Sequence, residues 1–79
     1  MTVRDKIEKH VLELSNESQI DHSLNLFDVG YLSSLEILDL LAFMETTFHI
    51  TISDDDLGIE NFASIDRMVK LIHKKVQPE

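Results

Sequence analysis

Cysteine is absent from this 79-residue chain, and between Lys9 and Arg67 there is no lysine or arginine. The first absence excludes a disulfide framework and any thiolate metal site. It suits a reducing compartment, and the expected location is the cytoplasm. No apolar run is long enough to span a bilayer, and the polar start "MTVRDKIEKH" does not read as a signal peptide. Repeats and low-complexity tracts are missing too, and the one proline, Pro78, falls near the end.

The gap in basic residues shapes the electrostatics. The formal charge is −8, from 15 Asp+Glu against 7 Lys+Arg. Arg4, Lys6 and Lys9 lie at one end of the chain; Arg67, Lys70, Lys74 and Lys75 lie at the other. The centre is therefore uniformly acidic, which opposes nucleic-acid binding through phosphate repulsion. An acidic excess is often only solubilising. It can also steer basic partner proteins. A chain of this length makes one small domain that hides about 60% of its unfolded surface. The expected domain is 1–79, with an ordered bundle over about 2–75 and a tail at 76–79. Such a size leaves little room for a private catalytic cleft.

Apolar Val3, Ile7, Val11 and Leu14 recur at helical spacing between Thr2 and about Ser15. Thr2 is a natural N-cap, and Asp5 suits the positive end of the dipole. "NESQIDHSLNLFDVGYL" then breaks the rhythm. A connection this long needs anchoring, which Ile20, Leu24, Leu26, Phe27 and Leu32 can provide across the core. The spacing predicts a second helix from about Ser34 to Thr47, central in the bundle. Leu38, Leu41 and Met44 form its inner face, widened by Leu35, Ile37 and Leu40, while Glu36, Asp39 and Glu45 stay in water. "FHITI" reads as an extended loop that buries Phe48, Ile50 and Ile52. "SDDDLGIENF" holds a short helical turn capped by Ser53. A last helix follows Ser64, with Ile65, Met68, Val69 and Ile72 inward and His73, Lys74 and Lys75 at its negative end. The fold class is all-α: a small four-helix bundle, three main helices plus one short, with a long first loop.

Within this frame Ser33 and Ser34 divide two tasks. Ser33 as N-cap and Glu36 three residues later form a capping box. Ser34 then falls at the first helical position. Its hydroxyl is free for chemistry beside unpaired N–H groups, where an anion such as a phosphate ester is favoured.

From this point the residues carry a resemblance. "LFDVGYLSSLEILDLLAFMETTFHITI" resembles the acyl and peptidyl carrier proteins, whose signature is a Gly-containing loop followed by Asp-Ser-Leu opening a helix. Gly30, Ser34 and Leu35 match it. "FHITISDDD" is similar to the family's Phe-Gly-Ile-x-Ile-Pro with acidic residues after it, and "FASIDRMVKLI" to its closing helix. The likeness spans most of the chain and is nearest to free-standing carriers of the D-alanyl, polyketide or nonribosomal-peptide type. Ser33 stands where the family most often has Asp, which bears on the modifying enzyme. His49 replaces a Gly and Ser53 a Pro, both in a connection.

The resemblance implies an acyl-carrier-like bundle with 4′-phosphopantetheine, taken from coenzyme A, attached at Ser34. Acyl or aminoacyl cargo would ride as thioesters on the arm. The expected partners are a phosphopantetheinyl transferase, a loading ligase or transferase, and a downstream synthase or transferase, of a fatty-acid, polyketide, nonribosomal-peptide or D-alanylation type pathway. Leu35, Glu36, Asp39 and Glu45 are the expected docking residues, with Ile37 edging a groove for cargo. The implied protein is a monomeric carrier and not an enzyme, with no nucleic-acid partner.

Other chemistries fit poorly. An EF-hand starting at Asp54 needs glycine sixth and glutamate twelfth, but Ile59 and Ile65 stand there. The four histidines lack zinc-ligand spacing, so no metal site is expected. Gly30 is misplaced for a hydrolase elbow. The remaining alternative is an unmodified acidic adaptor with the same fold.

Overall fold

The computed structural model describes residues 2–76. The chain forms α1 (Val3–Ser15), α2 (Glu36–Phe48), a 3-10 turn (Asp54–Asp56), a one-turn α3 (Ile59–Phe62) and α4 (Ile65–Val76). No strand occurs among the described residues. This is the expected all-α, acyl-carrier-like bundle. Pro78 and most of the expected tail, residues 77–79, lie outside the described residues, while Val76 belongs to α4.

Each main helix begins or ends for a local reason. At the start of α1, Thr2 Oγ1 accepts the Asp5 N–H at 3.0 Å, and Asp5 Oδ2 accepts the Thr2 N–H at 3.3 Å. The helix stops where Asn16 turns left-handed, at φ 60°, and donates its N–H to the Leu12 carbonyl. At the start of α4, buried Ser64 accepts the Arg67 N–H at 3.1 Å. His49 closes α2 at φ 55°, a left-handed position that favours glycine. A glycine there in related sequences thus has a backbone reason.

The core joins Ile7 and Val11 of α1, Ile37, Leu40 and Met44 of α2, Phe62 of α3, and Ile65, Met68, Val69, Leu71 and Ile72 of α4. Two expectations about α2 need correction. Its buried line is Ile37–Leu40–Met44, so Leu38 is 64% exposed and Leu41 only half-buried. The central helix is α4, which packs on α1, α3 and α2. Its apolar and polar faces separate cleanly, so it can bury a full stripe. α2 is apolar nearly all round and buries only part of itself.

The long first loop does lie across the core, with Ile20, Leu26 and Leu32 buried and Leu24, Phe27 and Tyr31 packed against it. Backbone bonds hold it: Leu26 N–H donates to the Ala63 carbonyl at 2.7 Å, and Asp66 N–H to the His22 carbonyl at 3.0 Å. Phe48, expected in an extended loop, is instead the last residue of α2; it and Ile50 are half-buried, and Ile52 is buried.

Candidate functional site

The loop delivers the serine pair to the head of α2 through a chain of backbone bonds. Asn25 Oδ1 accepts the N–H groups of Phe27 and Asp28, folding a tight turn. Gly30 follows at φ 80°. A Cβ there would meet nothing within 4 Å, so glycine serves the backbone angle and not the space. The Leu26 carbonyl accepts both Tyr31 N–H and Leu32 N–H, at 2.9 and 3.2 Å. Leu32 is buried and fixes the point from which Ser33 emerges.

From Ser33 onward the backbone winds tightly before it becomes α-helical. Glu36, Ile37 and Leu38 donate their N–H groups to the carbonyls three residues back, at 3.0, 3.3 and 3.3 Å. α2 therefore begins at Glu36, two residues later than expected, and Ser34 and Leu35 lie in the entering turn. This also corrects the idea of several unpaired N–H groups around Ser34: the turn has taken three of them. Ser33 is therefore not the N-cap, which falls at Leu35 with no side-chain cap bond, but Ser33 and Glu36 still engage each other. Glu36 Oε1 accepts the Ser33 N–H at 2.6 Å and its hydroxyl at 3.0 Å, while Ser33 Oγ accepts the Leu35 N–H at 3.3 Å. The hydroxyl oxygen accepts the Leu35 N–H, and not the Glu36 N–H, because the latter already goes to the Ser33 carbonyl.

Ser34 is exposed, and its hydroxyl enters none of the side-chain hydrogen bonds found among the described residues. Such an oxygen is accessible and has no internal work, which is what attachment of a group through an ester requires. A polar arm of any length can leave from it without displacing the core.

The surrounding side chains differ from the expected acidic face. Leu35 is 74% exposed and, with Leu38 and exposed Ala42, makes an apolar line along the outside of α2. The carboxylates have internal partners. Glu36 holds Ser33. Asp39 Oδ1 meets His10 Nε2 of α1 at 2.6 Å, although Asp39 remains exposed. Glu45, expected in water, is half-buried and accepts the Ile52 N–H at 2.9 Å. Ile37 lies in the core.

Leu38 is the residue that sequence reading missed. The spacing 35–38–42 was available as a signal, since it is what remains once 37–40–44 faces inward. Among the described residues no cluster of three or more His, Asp or Glu could hold a metal ion. Among the described residues no helix is long and apolar enough to cross a membrane.

Comparison with known proteins adds two findings. Residues 2–72 match the family described as the phosphopantetheine attachment site. The chain is also similar to Aminoacyl carrier protein 1 of Bradyrhizobium diazoefficiens, with 28% identity over 74 residues, covering 92% of this chain and 81% of that one.

Proposed function

The chain belongs to the phosphopantetheine attachment-site family of acyl and peptidyl carrier proteins, and from that premise we propose that Ser34 holds the arm and the protein is a non-catalytic cytoplasmic carrier. The observation that carries the assignment is the exposed, unengaged Ser34 hydroxyl in the turn that opens α2. The family's cofactor is 4′-phosphopantetheine, which when bound supplies a thiol that this cysteine-free chain otherwise lacks. In attachment, Ser34 Oγ gives its proton to a base of the transferase and bonds the phosphorus that carries the pantetheine of coenzyme A. The phosphoanhydride breaks, and the adenine nucleotide leaves.

Ser33 has a supporting role in this reading. By engaging Glu36 and the Leu35 N–H it holds the turn, so that within the serine pair the unengaged hydroxyl is that of Ser34. Leu35 and Leu38 are proposed as the docking face for the transferase and the loading and downstream enzymes, with Asp39 at its rim. Glu36 and Glu45 are assigned internal positioning work in place of direct docking. The cargo is proposed to be acyl or aminoacyl. The aminoacyl choice draws on the name of the relative, and it is consistent with the free-standing type.

Incubation with coenzyme A and a broad-specificity transferase, read by intact mass, tests the proposal. Wild type should gain the arm, Ser33→Ala should still gain it, and Ser34→Ala should not. Gain of the arm by Ser34→Ala would overturn the attachment assignment. Failure of wild type with its own host's transferase would favour the unmodified adaptor.

A further inference from the structure

The first loop is tied to the bundle through His22, and the tie has a defined protonation pattern. Arg4 Nη1 lies 3.1 Å from His22 Nδ1 and also pairs with Asp66 Oδ1. On the other side, His22 Nε2 lies 2.7 Å from Glu8 Oε2. A guanidinium has donors only. The Arg4 contact is therefore a hydrogen bond only when Nδ1 carries no proton. The ring proton then sits on Nε2 and is donated to Glu8. These contacts together fit a neutral imidazole with its proton on Nε2, joining α1 and the start of α4 to the loop. The His22 carbonyl reinforces the join by accepting the Asp66 N–H at 3.0 Å.

We propose that His22 is a protonation-sensitive latch on the loop that presents Ser34, closed when the ring is neutral and loosened when it is charged. The charged groups around the ring are Arg4 and Glu8 of α1, Asp66 of α4 and neighbouring Asp21. Asp21 is occupied with its own turn, where it accepts the N–H and hydroxyl of Ser23, both at 2.9 Å. Adding a proton at Nδ1 turns the Arg4 contact into donor against donor and cation against cation. Glu8 keeps the ring through Nε2, and its hold becomes stronger. Asp66 keeps Arg4. The ring therefore stays with Glu8 and separates from the Arg4–Asp66 pair, which is where the loop meets α4.

The loosening has a route to the site. Four residues after His22, Leu26 anchors on Ala63 just before α4, and its carbonyl holds the N–H groups of Tyr31 and Leu32 immediately ahead of Ser33. The proposal concerns the loop itself and does not depend on what Ser34 carries.

Nuclear magnetic resonance on the full chain without any arm tests it. The ring protons of His22 and the protection factors of the Asp66 and Leu26 amides are followed from about pH 8 to about pH 5. Protection of Asp66 should fall about threefold to tenfold, the range for one net hydrogen bond, with the midpoint of the His22 ring. In Arg4→Gln the neutral amide can accept as well as donate, and the pH dependence should vanish. His22→Gln should likewise show none. An unchanged Asp66 amide in wild type overturns the latch, as does an equal fall in Arg4→Gln. Should His22→Gln fail to fold, the Arg4 variant still decides.

Discussion

Asp54, Asp55 and Asp56 are consecutive and chemically alike, yet the fold uses them differently. The first two are exposed, while Asp56 is buried, accepts the Ser53 hydroxyl at 2.8 Å and pairs with Lys75 from the end of α4. Lys75 chiefly, then Ser53, lowers its carboxyl from 3.8 to about 2. A depressed carboxylate stabilises the fold fully above its unfolded value, and that contribution fades as pH falls from about 4 towards 2. Melting temperatures between pH 7 and pH 2 should show wild type losing this contribution in that window. Asp56→Asn should start lower at neutral pH and lose less there. Equal slopes for the two proteins would mean the clamp contributes nothing. At neutral pH, Asp56→Ala should cost about 1–3 kcal/mol, since Lys75 can still reach water. The opposite sign is expected at His49, whose φ of 55° strains a side chain. His49→Gly should stabilise by about 0.5–1 kcal/mol, read from denaturant midpoints. Neither role was open to sequence reading. Three adjacent aspartates look like a solvated turn until the fold brings up a lysine from the end of the last helix.

At the scale of elements, the helices were legible where their faces are unequal and illegible in phase where they are not. α1 and α4 carry one apolar stripe each, and Thr2, Ser64 and the basic last turn mark their limits in the sequence itself. α2 reads "EILDLLAFMETTF", where two overlapping lines, 37–40–44 and 38–41–44, satisfy the same periodicity. Only packing against the other helices chooses between them. The candidate site was legible in part. Gly30 and the serine pair stand out in the sequence, but the start of α2 at Glu36 depends on tight backbone bonds that no residue pattern announces. The phase of α2 can be measured directly. Leu40→Ala empties a fully buried position and should cost about 2–5 kcal/mol. Leu38→Ala, at an exposed position, should stay within about 0.5 kcal/mol of wild type. Chemical denaturation of the two variants checks the ordering, and a larger loss at Leu38 would reverse the assigned faces.

For the whole molecule, charge and contact act over different ranges. A net charge of −8 with no basic residue between Lys9 and Arg67 surrounds the molecule with a negative field. That field exists whether or not Glu36, Asp39 and Glu45 are bonded internally, because long-range steering depends on summed charge. Contact at the head of α2 is another matter. There the exposed groups nearest Ser34 include Leu35 and Leu38, and burial of apolar area is little affected by salt. Reversing Glu36 or Asp39 would confuse the two effects, since the first supports the serine turn and the second meets His10. Asp54 and Asp55 are cleaner probes, being exposed and remote in sequence from Ser34. If basic partners are steered by the field, changing both to Asn should lower the low-salt rate of arm transfer by a modest factor and flatten its salt dependence. Leu38→Ala should instead weaken transfer by about tenfold or less at every salt concentration, through KM, as one apolar contact allows. Transfer rates measured across a salt series separate the two. A loss in Leu38→Ala that disappears at high salt would return the docking role to charge. A wild-type rate indifferent to salt would leave the acidic surface with solubility alone.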